Sequence, residues 1–368
     1  MTDTATRARI PAATVTTPTA TYPIFVERGI LAALGQVCRD VGLGGRAFLV
    51  SDVSVGPIFG EPATASLRAT GYQVESKFIP AGEAEKTLAT AASLWDWLLG
   101  RRVERSDFVV CLGGGVVTDT AGFVAATTLR GIRFVHMPTT LLGMVDAAIG
   151  GKTGIDHVRG KNLIGAFAQP SAVICDPATL DTLPERQLRA GWAEVIKHGF
   201  ILDLELLALL EQHAGDLNAM KSAELIARGG AMVKAAVVSE DEKESDRRSL
   251  LNYGHTLGHA IEAVQNYTGL LHGEAVAVGM RAAGYISMQL GMLTAREFER
   301  QQALIRACGL PESVSGVTAA QLIEATKSDK KSSGGQIKWV LLNGLGNATM
   351  RGDVPESLVL EAAQLITS

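Results

Sequence analysis

The sequence predicts an α/β domain with a parallel sheet, followed by a mostly α-helical domain. In the first half of the chain, short apolar runs of strand length alternate with helical patterns, which is typical of a parallel sheet. One of these runs leads directly into three glycines and then into helical sequence. After about residue 179, long helical patterns replace this alternation. The 368 residues suffice for two domains of roughly 150 residues or more.

Short runs rich in apolar and β-branched residues predict the strands of the first domain. They cover residues 47–50, 74–79, 108–112, 132–137 and 172–175. Residues 108–112 (FVVCL) are apolar throughout, as in a strand that is buried on both faces. Apolar side chains recur at helical spacing over residues 87–99, and residues 120–129 predict a helix after the glycines.

Long helical patterns and a short β-like pair predict the second domain. The helical patterns cover residues 203–211, 223–238, 272–290 and 295–308, and runs at 337–342 and 348–350 predict a small hairpin. We therefore expect a first domain over residues 21–178 and a second over residues 179–368. Residues 1–20, rich in Thr and Ala, predict a flexible tail, with a transit-like segment as the alternative.

Charge and cysteine content exclude several classes of protein. A net charge of -4 and a pI of about 6.0 argue against a nucleic-acid partner. The four cysteines lie far apart without a C-x-x-C pair, which indicates neither a disulfide framework nor a thiolate zinc site. No apolar run of about 18 residues is present, so we expect no membrane span. These features are typical of a protein of the reducing cytoplasm.

The glycine-rich turn at residues 113–119 (GGGVVTD) lies between the apolar strand and a helix. Main-chain N–H groups and a positive helix end favour phosphate there. The turn is not a P-loop, because it lacks G-K-[ST]. It half-matches the Rossmann dinucleotide fingerprint, with Thr118 in place of the third glycine. The alternative is a tight turn and helix cap with no ligand.

Two further glycine-rich segments carry lysines. Eleven of the 40 glycines lie between residues 113 and 165, and this block includes Gly150-Gly151-Lys152 and Gly160-Lys161-Asn162. Lysine is a mobile point charge with three donors, so these segments suit contacts to oxyanions. Solvated loop lysines are the alternative.

Three of the seven histidines lie within 18 residues and indicate a metal site. His255 and His259 are four residues apart, which places both imidazoles on one face of a helix, and His272 begins another helical run. Imidazole and carboxylate ligands suit zinc. Glu194 is a candidate third ligand, although Glu194 and Lys197 could instead form a surface i, i+3 ion pair. The spacing leaves open which histidines bind metal.

Eight segments occur in an order that is typical of one enzyme family. They are Gly82-Glu83 with Lys86, GGGVVTD at 113–119, PTTLLGMVDAAIGGKTGID at 138–156, GKNLIGAFAQP at 160–170, AEVIKHG at 193–199, LLNYGHTLGHAIE at 250–262, HGEAVAVGM at 272–280 and SDKK at 328–331. Over roughly residues 20–365, the chain resembles the 3-dehydroquinate synthase family of sugar-phosphate cyclases. One departure is Ala81, which stands where Asp is common.

The resemblance implies an activity, cofactors and an assembly. The family joins a Rossmann-like, α/β nucleotide-binding domain to a helical metal-binding domain. With NAD and zinc, or cobalt, it converts the sugar phosphate 3-deoxy-D-arabino-heptulosonate 7-phosphate to 3-dehydroquinate and phosphate, in the shikimate pathway of aromatic amino acid biosynthesis. NAD takes up a hydride and returns it, so the enzyme is a lyase without net redox change. The resemblance also implies a cytoplasmic homodimer in which Arg130 reaches the neighbouring subunit's active site.

The resemblance further assigns site residues. Zinc would be held by Glu194, His255 and His272, with His259 in the site but not a ligand. The expected NAD contacts are Asp52, Glu83, Lys86, Gly114, Gly115, Val116, Val117, Thr118, Asp119, Thr139, Thr140, Lys152, Lys161, Thr179, Leu180, Asp181 and Thr182. The expected substrate and catalytic residues are Arg130, Asp146, Lys152, Lys161, Asn162, Lys197, Lys234, Arg248, Asn252, His259, Lys330 and Lys331.

A cationic cage distinguishes this activity from two other classes of function. The substrate carries a phosphate and a carboxylate, and several of the lysines together with Arg248 supply the opposite charge. A metal-dependent polyol dehydrogenase needs no such cage and would accumulate NADH. A non-catalytic metal or nucleotide binder is the third class. Within the cyclases, sedoheptulose 7-phosphate and glucose 6-phosphate are alternative substrates, but Arg248, Asn252 and the SDKK segment favour one that bears a carboxylate.

Overall fold

Residues 9–244, 247–332 and 337–367 are described by the structure, a computed structural model, without the side chains of residues 327–332. The strands are β1 (Ala13–Thr16), β2 (Thr21–Val26), β3 (Ala47–Asp52), β4 (Val74–Ile79), β5 (Phe108–Gly113), β6 (Arg133–Pro138), β7 (Lys152–His157), β8 (Gly160–Phe167), β9 (Val173–Cys175), β10 (Trp339–Leu342) and β11 (Ala348–Arg351). The helices are α1 (Leu34–Asp40), α2 (Glu61–Ala69), α3 (Leu88–Gly100), α4 (Gly115–Thr127), α5 (Glu185–Leu202), α6 (Leu204–Gln212), α7 (Ala223–Ile226), α8 (Val233–Glu240), α9 (His255–Val264), α10 (His272–Gln289), α11 (Ala295–Ala307), α12 (Ala319–Ser332) and α13 (Glu356–Ile366).

Two compact units divide the described chain. The first comprises the described residues up to Leu183, together with Lys221–Ala227 and Lys234–Lys243. The second comprises Pro184–Met220, Arg228–Val233 and the described residues from Glu244 onward. The domain limits at residues 178 and 179 stay a prediction. Among the described residues, no helix is long and apolar enough to cross a membrane.

The first unit is built on a mostly parallel sheet, which confirms the predicted fold class. The strand order is β1-β2-β9-β6-β5-β3-β4, and β1 and β2 pair antiparallel while the others run parallel. All six residues of β3 and of β5 are buried, as their apolar runs predict. Their side chains alternate between two cores, one shared with α1 and α2 and the other with α3 and α4.

The connection from β4 to β5 positions the candidate nucleotide site. The chain moves from β3 outward to β4 and then returns to place β5 on the opposite side of β3. Helices on the two sides of such a reversal diverge, so a crevice forms at the carboxyl ends of the two central strands. The strands concerned are β3 and β5, which end at Asp52 and Gly113.

The N-terminal segment departs from the predicted flexible tail. Residues Ala13–Thr16 form β1, an edge strand paired with β2. Val15 is buried, and the N–H of Thr16 donates to Ser239 Oγ at 2.9 Å. One buried apolar side chain and a continuous main-chain ladder therefore anchor this segment, while residues 1–8 lie outside the described chain.

One other local prediction needs correction, and one segment for which no strand was predicted forms a ribbon. The single helix predicted over residues 223–238 is interrupted by a π-helical turn over Ala227–Met232, where a Cβ on Gly229 would lie 2.4 Å from Val195 Cγ1. The glycine-rich segments around residues 150–165 form the antiparallel ribbon β7–β8. Glycine permits its close strand pairing, since a Cβ on Gly165 would lie 2.3 Å from the carbonyl oxygen of Thr153.

The second unit is mostly helical and carries the predicted hairpin, β10–β11. Helix α10 is buried along most of its length, and α9 packs closely against it. Small residues make this approach possible, because a Cβ on Gly279 would lie 1.9 Å from the carbonyl oxygen of Gly254. The close packing fixes the position of α9 on α10, and each of these helices begins with a histidine.

Candidate active site

Three side chains of the second unit form a group that fits a metal ion. Glu194 lies in the middle of α5, whereas His255 and His272 are the first residues of α9 and α10. Glu194 Oε1 lies 3.7 Å from Nε2 of each histidine. Ligand atoms on a tetrahedral zinc ion with bonds of about 2.1 Å lie roughly 3.4 Å apart. Glu194 is fully buried, and its Oε1 accepts no hydrogen bond from the described residues.

The other ring nitrogens of these histidines face hydrogen-bond acceptors. His255 Nδ1 lies 3.2 Å from the carbonyl oxygen of Tyr253, and His272 Nδ1 lies 3.0 Å from Glu262 Oε2. Protonation at Nδ1 leaves the Nε2 lone pair directed toward Glu194. Burial, followed by repulsion from Lys197 and the neighbouring histidines, lowers the pKa of His255 well below its usual value. Two imidazole nitrogens and one carboxylate oxygen are a donor set that suits zinc or cobalt.

The Glu194–Lys197 pair is buried and is not a surface ion pair. The side chains are 0% and 1% exposed, and Lys197 Nζ donates to Glu194 Oε2. One carboxylate oxygen therefore neutralises Lys197, and the other faces the two imidazoles. This pairing offsets part of the cost of burying the carboxylate and leaves Oε1 facing the two histidines.

Of the remaining predicted residues of the second unit, Arg248, Asn252 and His259 lie close to His255 in sequence, whereas Lys330 and Lys331 lie farther along the chain. His259 is exposed, and its ring centre is 5.2 Å from that of His255. Arg248 is 1% exposed in the turn Arg247–Asn252, and Asn252 Nδ2 donates to Glu244 Oε1 at 2.8 Å. Lys330 and Lys331 belong to α12, but their side chains lie outside the described residues.

The glycine turn joins β5 to α4 in the first unit. Helix α4 begins at Gly115, so Val116, Val117 and Thr118 form its first turn. A Cβ on Gly114 would lie 3.1 Å from Thr140 Cγ2, which leaves little room for a side chain. Main-chain N–H groups at the start of a helix of this length attract phosphate. At the end of β3, Asp52 Oδ1 accepts from the N–H groups of Ser54 and Val55.

Beside α4, the chain assembles a cluster of charged and polar side chains. Lys86 is 3% exposed; its Nζ lies 2.6 Å from Asp119 Oδ2 and also donates to Asn162 Oδ1. Lys161 Nζ lies 3.2 Å from Glu83 Oε1. The ribbon β7–β8 thus brings Asn162 to Lys86 and Lys161 to Glu83. The residue at the start of β7, Lys152, is exposed.

The pKa values in this cluster are shifted. Burial raises the pKa of Asp119 to about 6, against the opposing attraction of Lys86. Burial opposes the charge of Lys86, but attraction to Asp119 and Glu83 raises its pKa overall. Lys86 therefore stays charged at neutral pH. Asp119, with a pKa of about 6, loses its proton about one pH unit below neutrality.

A further ion pair of the first unit joins Asp146 and Lys234. Asp146 lies in the π-helical turn Gly143–Ala147, and Lys234 Nζ donates to its Oδ1. Preceding this turn, Thr140 Oγ1 accepts from the N–H of Gly143 at 3.1 Å. Thr139 Oγ1 is buried without a hydrogen-bond partner among the described residues.

Other predicted residues occupy turns. In the turn Pro177–Thr182, the hydroxyl of Thr179 donates to the carbonyl of Asp176, that of Thr182 donates to the carbonyl of Thr179, and Leu180 is buried. Asp181 pairs with Arg28. Arg130 ends the turn Thr128–Arg130 with a φ of 68°.

Two buried groups were not anticipated from the sequence. Glu262, which faces His272, lies seven residues after His255 and so shares its helix face, a spacing that could have revealed it. His198 is buried, and its Nδ1 lies 2.7 Å from the carbonyl oxygen of Gly229. No spacing signal separates His198 from an ordinary core histidine.

Family models match most of the chain. A model described as 3-dehydroquinate synthase N-terminal matches residues 76–190, and one described as 3-dehydroquinate synthase C-terminal matches residues 191–332. The chain belongs to the 3-dehydroquinate synthase family. A 3-dehydroquinate synthase of Microcystis aeruginosa is 46% identical over 352 residues, which cover 94% of this chain and 96% of the relative.

Solved structures of other cyclases share the fold. The 2-epi-5-epi-valiolone synthase ValA from Streptomyces hygroscopicus, with NAD+ and Zn2+ bound, superposes with a TM-score of 0.86 at 30% identity and covers 93% of this chain and 96% of its own. A 2-deoxy-scyllo-inosose synthase complexed with carbaglucose-6-phosphate, NAD+ and Co2+ has a TM-score of 0.86 at 25% identity, with coverage of 96% and 99%. The family models and the curated relative, together with the second of these structures, confirm the predicted enzyme class.

Proposed function

We propose that this chain converts 3-deoxy-D-arabino-heptulosonate 7-phosphate to 3-dehydroquinate and phosphate, using NAD and one zinc or cobalt ion. The observation that carries the proposal is the convergence of Glu194 Oε1 on the Nε2 atoms of His255 and His272, within a member of this family. When bound, NAD would supply a hydride acceptor that later returns the hydride, and the metal would supply a Lewis acid for the substrate hydroxyls.

The residues of the chain would bind and orient these groups. Glu194, His255 and His272 hold the metal ion. The glycine turn and the first turn of α4 hold the pyrophosphate of NAD, and Lys86 and Asp119 fix each other beside it. The further contacts to NAD are Asp52, Glu83, Thr139, Thr140 and the turn that contains Thr179, Leu180, Asp181 and Thr182.

The cations would balance the charge of a multiply anionic substrate. Lys152, Lys161, Lys197, Lys234, Arg248, Lys330 and Lys331 supply this charge, and Asp146, Asn162, Asn252 and His259 orient the hydroxyls. Positioning both reacting ends of one molecule lowers the entropic part of the barrier to ring closure. No protein residue needs to accept the proton that leaves the substrate carbon during elimination, because the phosphate oxygens of the substrate can accept it as the phosphate departs.

The test compares phosphate release from three substrates by protein loaded with zinc and NAD. We expect rapid release from 3-deoxy-D-arabino-heptulosonate 7-phosphate and little from sedoheptulose 7-phosphate or glucose 6-phosphate. Lys152→Ala should lower kcat/KM at least tenfold, while Arg159→Ala, which removes an exposed cation from the same ribbon, should not. Equal release from all three substrates, or none from the first, would contradict the proposal.

We also propose a homodimer in which Arg130 contacts the partner's site. Leu129 and Arg130 have φ values of 51° and 68°, a strained geometry for side-chain-bearing residues that functional contacts often explain. Leu163 and Phe167 on β8 are 63% and 50% exposed in the single chain and could be covered by a partner.

A mixing experiment tests this arrangement. Arg130→Ala and His255→Ala chains, each inactive alone, should regain activity when unfolded together and refolded as a mixture, because one site of the mixed dimer then has both residues. Mixtures without recovered activity, or a monomer by light scattering, would contradict the dimer proposal.

We propose that the protein is located in the cytoplasm, because its cysteines are free thiols. The four cysteines are buried and free, and burial raises the pKa of Cys38 to about 12 and that of Cys308 to about 11. Such thiols are unreactive and typical of a reducing compartment. Cell fractionation should place the protein in the cytoplasmic fraction, and its recovery from a secreted fraction would contradict this location.

A further inference from the structure

Glu262 is a buried carboxylate next to one of the candidate metal ligands. It is 4% exposed and lies on the face of α9 that carries His255 and His259. Its Oε2 lies 3.0 Å from His272 Nδ1, across the packed pair of helices α9 and α10. A buried carboxylate is costly unless it is paired or hydrogen-bonded, so its position at this imidazole requires a reason.

Two roles are geometrically open to Glu262. Together with His259 and His272 it forms a second group of possible metal-binding atoms, so it could itself be a ligand. However, 3.0 Å is the length of an N–H···O hydrogen bond and is shorter than the roughly 3.4 Å between two ligands of a tetrahedral zinc ion. In addition, His272 already directs Nε2 toward Glu194, at 3.7 Å. The distances therefore favour an acceptor of the Nδ1 proton over a ligand.

We propose that Glu262 is a positioning residue that holds His272 as a metal ligand. Its carboxylate accepts the Nδ1–H bond, fixes the tautomer with a free Nε2, and holds the ring in the orientation that faces Glu194. His255 receives the corresponding support from the carbonyl of Tyr253, a neutral acceptor, so the two imidazoles are held by acceptors of different charge. This inference rests on the metal site of the proposed function.

The role predicts graded losses of metal affinity. Glu262→Gln keeps an acceptor of nearly the same shape but loses the charge, whereas Glu262→Leu removes the acceptor. Because outer hydrogen-bond partners of metal-bound histidines contribute about 10–100-fold to affinity, we expect a loss in that range for Glu262→Leu and a smaller loss for Glu262→Gln. A control is Glu297→Gln, which alters a carboxylate that caps α11 away from the histidines.

The experiment measures zinc affinity by competition with a chromophoric chelator, and the visible absorption of the cobalt-loaded protein, without substrate. The expected order of affinity is wild type and Glu297→Gln, then Glu262→Gln, then Glu262→Leu, with an altered cobalt spectrum in both Glu262 variants. Thermal unfolding of the metal-free proteins identifies variants that do not fold. If Glu262→Leu does not fold, the comparison of Glu262→Gln with wild type is the test.

Affinities of the folded Glu262 variants within twofold of wild type, with an unchanged cobalt spectrum, would overturn the positioning role. That result would leave the proposed function intact, because the metal would still bind. If the wild-type protein itself bound no zinc or cobalt, both the metal site and this inference would be wrong. Activity is not part of the readout, so failure of the cyclase reaction alone is distinguishable from either result.

Discussion

Replacing Lys86 by Met should destabilise the first unit in a pH-dependent way. The ammonium is almost fully buried and lies 2.6 Å from Asp119 Oδ2, so the substitution leaves a carboxylate without its charged partner. Removing one partner of an enclosed ion pair costs about 3–5 kcal/mol. The Asp119 side chain is 19% exposed and keeps some contact with solvent, so we expect about 2–3 kcal/mol at pH 7.

The pH dependence follows from the raised pKa of Asp119. Because its pKa is about 6 in the folded chain and 3.8 in its ordinary state, the folded chain binds this proton more tightly. The contribution of this carboxyl to stability is therefore greatest at low pH and decreases as the pH rises toward about 6. At pH 5 Asp119 is mostly protonated in the folded state, so Lys86→Met should cost less there than at pH 7.

Urea unfolding at pH 5 and pH 7 measures both effects, with Lys86→Met/Asp119→Asn as the matched double variant. Removing both charges should restore most of the stability at pH 7, although NAD binding should remain impaired. The reasoning would be refuted by a Lys86→Met protein that is as stable as wild type at pH 7, by a loss that does not change with pH, or by a double variant no more stable than Lys86→Met.

Three further predictions concern the second unit. Tyr253→Phe should lower the free energy of unfolding by about 1–3 kcal/mol in urea titrations, since it removes the partner of the buried amide oxygen of Gln301, and an unchanged midpoint would contradict this. Gly273→Ala should lower the thermal midpoint and weaken zinc binding, because the added Cβ would lie 1.8 Å from a carbonyl oxygen of α5. The control Gly100→Ala adds a Cβ in open space and should change neither the thermal midpoint nor zinc binding. A chelator should abolish phosphate release and added zinc or cobalt should restore it, whereas activity in fully metal-stripped protein would refute the ligand assignment.

Much of the sheet could be predicted because its strands carry strong local signals. The run at β5 is apolar up to its final glycine, those at β3, β4 and β6 each contain at least three apolar residues, and glycine marks the turn into α4. Strand-helix alternation then suffices to predict parallel pairing. By contrast, the strands of the ribbon β7–β8 contain three glycines, two lysines and little alternation, so their pairing depends on contacts that no local pattern encodes.

The candidate site could be predicted only in part for the same reason. The histidine spacing located His255 and His272, but not which ring nitrogen faces Glu194, because that depends on Tyr253 and Glu262. Spacing alone also could not distinguish a buried Glu194–Lys197 pair from a solvated one. That distinction comes from the packing of α5, in which thirteen residues are buried, Glu194 and Lys197 among them.

The central claim is that this chain uses NAD as a recycled cofactor in a metal-dependent cyclisation. The most direct measurement follows phosphate release and absorbance at about 340 nm together, with zinc-loaded protein, a small amount of NAD and excess 3-deoxy-D-arabino-heptulosonate 7-phosphate. The account predicts many phosphates released for each NAD molecule, with no accumulation of NADH. Release that stops when the NAD is consumed, with NADH accumulating in equal amount, would contradict it.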